Sequence, residues 1–327
     1  MTLEEDIHKW ETEKPRYIEL KNHIQNYLEN LFYDSGLPVK VETRVKDDCS
    51  LIKKINLKQH EKDEDYSYEK LTDKCGARII CKFKEDIPEI CKIIDDCFDV
   101  KRTENKYNEL AFNEQGYKGI HKDIFLKKND SNSEIFEKCR NLPVEIQIRT
   151  LCDNVWADIY HDLGYKPENM ASEKIKRELH CLGGLLEVAD DSFSQINKSI
   201  KESTELSPAF ALNVLEKPFI QIFRSKYDPT FSTENLIFFI NLLDFDSPIS
   251  FKNSIYDFIE ANKQKISQIV KERRGEISNP FITQPEVLII FYLIETKKAL
   301  LKDKWPDHFC INDLEELSTW WGKPIQY

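Results

Sequence analysis

The stretch Val144-Glu145-Ile146-Gln147-Ile148-Arg149-Thr150 constrains the fold more than any other part of the chain. Successive side chains of a strand point to opposite faces, so Val144, Ile146 and Ile148 seat in a core while Glu145, Gln147 and Arg149 line up on the other side. Such a strand needs neighbours, and the sequence supplies them. From Val39 to Lys46, Val39, Val41, Thr43 and Val45 alternate with Lys40, Glu42, Arg44 and Lys46; Ala77 to Phe83 is an apolar run; Gly119 to Lys127 is a further strand. Helical patterns lie between them: Pro15 to Leu31, a short stretch from Ser50 to Leu57, and a helix capped by Asp86 with Pro88 in its first turn, ending near Phe98. The order strand, helix, strand predicts an α/β (α+β) fold, a sheet flanked by helices.

At 327 residues the chain is long enough for two domains. Residues 1–205 hold all the strand patterns. Residues 206–327 read as a helical C-terminal region of open role, with aromatic and aliphatic helices such as Glu286 to Leu301 broken by Pro218, Pro229, Pro248, Pro280 and Pro285. A composition of 40% hydrophobic and 32% charged residues belongs to a chain that folds. No run approaches the roughly 20 apolar residues a bilayer demands, and the opening MTLEEDIHKW is too acidic for a secretory signal. The expectation is a cytoplasmic protein without a membrane partner. A net charge of -11 argues against a DNA-coating protein, yet leaves room for a local basic pocket suited to a small phosphorylated ligand. The nine cysteines contain no CxxC pair and read as free thiols.

Four elements carry chemistry. The first is the polar face of Glu145, Gln147 and Arg149; its bland reading is a solvent-facing strand. The second is Asp73, at the entrance to the apolar run: magnesium takes a few hard oxygen ligands together with water and phosphate oxygens, so carboxylates from two neighbouring strands suffice. Taken alone, Asp73 is an ordinary turn residue. The third is Arg44 and Lys46 on one strand face with Ser50 and Lys54 four apart on the next helix, a cation set suited to a triphosphate and otherwise plain surface charge. The fourth is Gly116-Tyr117-Lys118-Gly119-Ile120-His121, a loop whose tyrosine can stack on a purine base.

In this order the elements resemble the RelA/SpoT-type alarmone synthetases, which make (p)ppGpp. The matching pieces are Arg44-x-Lys46-x3-Ser50-x3-Lys54, Asp73-x2-Gly76-x-Arg78-Ile79, Gly116-Tyr117-x3-His121, Glu145-x-Gln147-x-Arg149-Thr150 and Trp156-Ala157-x3-His161-x3-Tyr165-Lys166, within residues 15–205. The resemblance implies a nucleotidyltransferase-like mixed sheet flanked by helices and transfer of pyrophosphate from ATP to the 3′-hydroxyl of GDP or GTP. It implies ATP held by Arg44, Lys46, Ser50, Lys54 and Arg78, Mg2+ held by Asp73 and Glu145, and Glu145 as base. Gln147 would serve the catalytic pocket, Tyr117, His121 and Arg149 the acceptor, with His161 and Lys166 in support. Long members of the family carry an HD hydrolase domain; here His161-Asp162 is the one His-Asp pair, and the expectation is a chain like the small stand-alone members or their toxin branch.

One loop departs from the family pattern. Where members read Pro-Lys-Pro-Asn-Gly-Tyr-x-Ser-x-His, this chain has Phe112-Asn113-Glu114-Gln115-Gly116-Tyr117-Lys118-Gly119-Ile120-His121, so the cation expected to meet the acceptor phosphates is missing. An adenine nucleotide or the 3′ end of tRNA therefore stays open as acceptor. A non-catalytic nucleotide-binding regulator is a further reading; the retained carboxylates weigh against it, because two acids beside a phosphate are unfavourable without a metal. A second copy or a partner protein on the C-terminal helices completes the expectations.

Overall fold

The computed structural model describes residues 3–61, 66–107, 118–127, 133–164, 173–273 and 279–327. They divide into two compact units, residues 1–29 with 39–195, and residues 30–38 with 196–327.

The first unit is built on a five-stranded mixed sheet ordered β1-β2-β5-β4-β3, with β1 Lys40–Val45, β2 Cys75–Cys81, β3 Phe98–Asn105, β4 Ile120–Leu126 and β5 Val144–Thr150. β2 and β5 are parallel, and every other pair is antiparallel. The period-2 pattern of β5 resolves as expected: Val144, Ile146 and Ile148 are buried, with Ala77 and Ile79 of β2 beside them. This apolar face is closed by α1 (Leu3–Ser35), through Tyr17, Leu20, Ile24 and Leu28, and by α3 (Ile87–Cys97), through Ile87, Ile90 and Ile94. Gln25 of α1 accepts a bond from the Thr43 hydroxyl at 2.9 Å and donates to the Val41 carbonyl at 3.1 Å. α2 (Asp48–Glu61) follows β1, α4 (Ser133–Cys139) precedes β5, and α5 (Leu151–Gly164) follows it. Thr150 and Asp153 form a reciprocal cap at the start of α5: the Asp153 amide donates to the Thr150 hydroxyl at 3.1 Å, and that hydroxyl donates to the Asp153 carboxylate at 3.0 Å.

Several boundaries differ from the sequence expectation. α1 begins near the N-terminus rather than at Pro15, because Trp10 and Asp6 of its charged first turns are buried, Asp6 accepting from the Tyr68 amide at 3.0 Å. Asp86 makes no side-chain cap to α3; a 3-10 turn over Lys84–Asp86 leads into the helix instead. β3 is an edge strand whose polar sequence, Asp99-Val100-Lys101-Arg102-Thr103-Glu104, hides it from a search for apolar alternation. The helix expected over Glu286 to Leu301 is two, α10 (Val287–Thr296) and α11 (Lys298–Lys304), divided at Lys297.

The second unit is helical: α7 (Pro208–Phe223), α8 (Pro229–Asn241), α9 (Pro248–Arg273), α10, α11 and α12 (Ile311–Trp320). The prolines that punctuate its sequence mostly start helices, where the missing N–H costs nothing; Ser207 caps α7 through the Phe210 amide, and Asp228 caps α8 through those of Thr230 and Phe231. Its core is aromatic, with Phe219, Phe239, Phe251, Phe281, Phe291, Trp305 and Trp321 all fully buried. Residues 30–38 belong to it because Tyr33 packs on that core and Arg224 binds the side chains of Asn30 and Asp34, whereas the sequence reading divides the chain at 205 alone. Gly36, at φ +71°, ends α1 with the Leu37 amide donating to the Phe32 carbonyl at 3.2 Å. Among the described residues no helix is long and apolar enough to cross a membrane, and all nine cysteines are free thiols.

Candidate active site

The register of the sheet assembles two cross-strand rows on the face opposite the core. Arg44, Gly76, Glu145, Asp123 and Arg102 form one, and Glu42, Arg78, Gln147, His121 and Glu104 the other. Side chains directly opposite on neighbouring strands lie about 5 Å apart at Cβ, so residues scattered over the sequence become neighbours. Gly76 leaves space in the first row: a methyl placed there meets Arg44 Nε at 3.8 Å and the Glu145 carbonyl oxygen at 3.9 Å.

Asp73 stands in the turn leading into β2. Its Oδ2 accepts from Lys46 Nζ at 2.7 Å and from Lys54 Nζ at 2.8 Å. Burial pushes the carboxyl up, but the ammonium groups of Lys54 and Lys46 outweigh that and hold it below the usual carboxylate range. Asp73 Oδ1 is buried and accepts no hydrogen bond among the described residues.

Glu145 is held from two directions. His121 Nδ1 lies 3.0 Å from Oε1, and Gln147 Nε2 donates to Oε2 at 2.7 Å; Arg149, itself buried, donates through Nη2 to Gln147 Oε1. Desolvation raises the Glu145 carboxyl, the His121 contact pulls it down, the charge of Asp73 opposes that, and the outcome is a value below that of an ordinary glutamate. The two carboxylates expected to act together thus feel each other's charge, and both lie at the polar face rather than in the apolar interior. Among the described residues no group of three or more His, Cys, Asp or Glu converges as a metal cluster, so any cation here rests on a pair.

The remaining expected residues are distributed as follows. Arg44 is exposed on β1 and shares the row of Glu145. Ser50 lies in the first turn of α2, its amide donating to Asp47 Oδ1 at 2.9 Å. Arg78 pairs with Asp158 of α5 at 2.9 Å. His161 falls within α5; Tyr117 and Lys166 lie outside the described residues, as does Asn113.

Asp123 is the residue that sequence reading misses. It sits directly opposite Glu145, its side chain 12% exposed, with Arg102 Nη1 3.8 Å from Oδ2. Burial first, then the Glu145 charge, push its carboxyl up, and the charge of Arg102 pulls the other way. The available signal was its spacing: His121-x-Asp123 puts both side chains on one strand face, as Glu145-x-Gln147 does.

A family model described as a region found in RelA / SpoT proteins matches residues 43–170, which contain all the residues expected at the site and Asp123. The chain carries a RelA/SpoT-type alarmone synthetase domain. Two Bacillus subtilis (strain 168) proteins are similar to it. GTP pyrophosphokinase YjbM is 28% identical over 173 residues, 53% of this chain and 78% of the relative. GTP pyrophosphokinase YwaC is 26% identical over 171 residues, 52% and 79% respectively. A GTP pyrophosphokinase family protein from Streptococcus pneumoniae shares the fold, with a TM-score of 0.50 at 24% identity over 62% of this chain and 97% of its own. The RelA/SpoT match stops short of the helical second unit.

Proposed function

We propose that the RelA/SpoT-type domain transfers pyrophosphate from ATP to the 3′-hydroxyl of a guanine nucleotide, GDP or GTP. The observation that carries this reading is the convergence of Lys46 and Lys54 on Asp73, in the turn leading into β2, with Glu145 of the neighbouring strand β5 close enough to feel its charge; both curated relatives are named as GTP pyrophosphokinases.

The residues fit a divalent cation. Asp73 offers a buried oxygen with no hydrogen-bond donor among the described residues, and Glu145 is a second carboxylate near it. Two carboxylates plus phosphate oxygens and water are what magnesium accepts. Asp73 and Glu145 would hold it, and when bound it would neutralise charge on the phosphates. Lys46, Lys54 and Arg44 supply positive charge to the triphosphate, which phosphoryl transfer needs more than covalent chemistry. The acceptor 3′-oxygen attacks the β-phosphorus, the bond from that phosphorus to the α,β-bridging oxygen breaks, and AMP leaves. Glu145, kept ionised by His121 and Gln147, takes the hydroxyl proton on a remaining lone pair. Arg149 acts through Gln147 to keep that carboxylate in place.

The test is incubation of the protein with magnesium and ATP labelled on its β-phosphate, offering GDP, GTP, ADP, AMP and deacylated tRNA in parallel. Label on GDP or GTP with release of AMP is the expected result. Label on tRNA or an adenine nucleotide keeps the chemistry and replaces the acceptor; no transfer to any acceptor leaves a nucleotide-binding regulator.

A further inference from the structure

The oxygens of the Asp73–Glu145 pair suit a cation, but their charge is already balanced. Lys46 and Lys54 both bond Asp73, so the two ammonium groups cancel the charges of Asp73 and Glu145 before any ion arrives. A divalent cation approaching that set alone meets no net attraction. The next group along the row is Asp123, a third carboxylate opposite Glu145. Its own counter-ion is loosely committed: Arg102 is 60% exposed, stands 3.8 Å away and also pairs with Glu104. Two like charges directly opposite on antiparallel strands are unfavourable, and a cation beside them turns that cost into affinity.

We propose that Asp123 is a positioning residue of the transfer site: its charge sets the affinity of the Asp73–Glu145 pair for a divalent cation. No third ligand converges on the pair among the described residues, so Asp123 acts from beside the ion. The inference rests on the ion-binding part of the proposed function.

The experiment follows free Mn2+ by electron paramagnetic resonance as the metal alone is titrated into the full chain, comparing wild type, Asp123→Asn and Glu145→Gln. Asparagine keeps the shape of the side chain and removes the charge. Loss of one unit charge a few ångströms from a divalent ion in a wet site predicts Mn2+ binding weaker by about tenfold in Asp123→Asn, a larger loss in Glu145→Gln, and unchanged thermal midpoints in both. Wild-type Mn2+ affinity in Asp123→Asn, with the loss in Glu145→Gln present, overturns the role of Asp123 alone, whatever happens to its melting temperature. Mn2+ held equally by wild type and Glu145→Gln, or by neither, overturns the ion pair itself.

Discussion

Each carboxylate of the site owes its state to the groups that reach it. Glu145 stays ionised because His121 and Gln147 offset its burial, so replacing it with glutamine removes the proposed base while preserving shape and one hydrogen bond. Glu145→Gln lowers the turnover number by about 10²- to 10⁴-fold, with circular dichroism unchanged; near-normal turnover would remove Glu145 from the chemistry. Lys46 binds Asp73 at 2.7 Å in a part-buried setting, and a hydrogen bond to a charged group contributes about 1.5–3 kcal/mol. Lys46→Met accordingly raises KM for ATP by roughly ten- to a hundredfold in steady-state assays, and an unchanged KM sets it aside as an ATP contact. Asp73, Glu145, Lys46 and Lys54 were legible in the sequence because their types recur at fixed spacing. Asp123 was not, since an aspartate inside a strand reads as solvent-facing until the register puts Glu145 opposite it.

Strands with apolar alternation declared themselves, and elements held by tertiary contacts did not. β5 and β1 fall within about two residues of their expected bounds, while β3 is stabilised by pairing with β4 and packing of Phe98, neither visible locally. The N-terminal turns of α1 likewise depend on partners across the unit, Tyr68 for Asp6 among them. Another such dependence is the approach of α6 (Glu173–Lys201) to α5: a methyl on Gly183 overlaps the indole nitrogen of Trp156. Alanine normally strengthens a helix relative to glycine by about 1 kcal/mol, but here overpacking dominates, and Gly183→Ala destabilises the protein by about 1–3 kcal/mol in urea unfolding. A stabilised variant would show that α6 yields freely. At the start of α5, Thr150→Ala removes the reciprocal cap with Asp153 and costs about 1 kcal/mol by the same measurement.

Across the molecule, the second unit holds a buried acid that makes stability depend on pH. Glu286 is fully buried, and desolvation raises its carboxyl although the Asn235 amide donates to its Oε1 at 2.7 Å. A carboxyl raised in the folded state binds its proton more tightly there than in the unfolded chain, so its contribution is present at low pH and lost as pH rises through the folded value. Glu286→Gln therefore flattens the decline of unfolding free energy with pH above the ordinary glutamate range, as read by denaturant titrations at a series of pH values; an unaltered slope would show that Glu286 is charged in the native protein. The parallel pairing of β2 with β5 has a consequence during synthesis. Asp73 enters β2 early in the chain and Glu145 arrives only with the last strand, with β3 and β4 between them. Non-local pairing of this kind forms late, so a ribosome must deliver the whole sheet before Glu145 can stand near Asp73, and a prematurely released fragment lacks one of the two carboxylates.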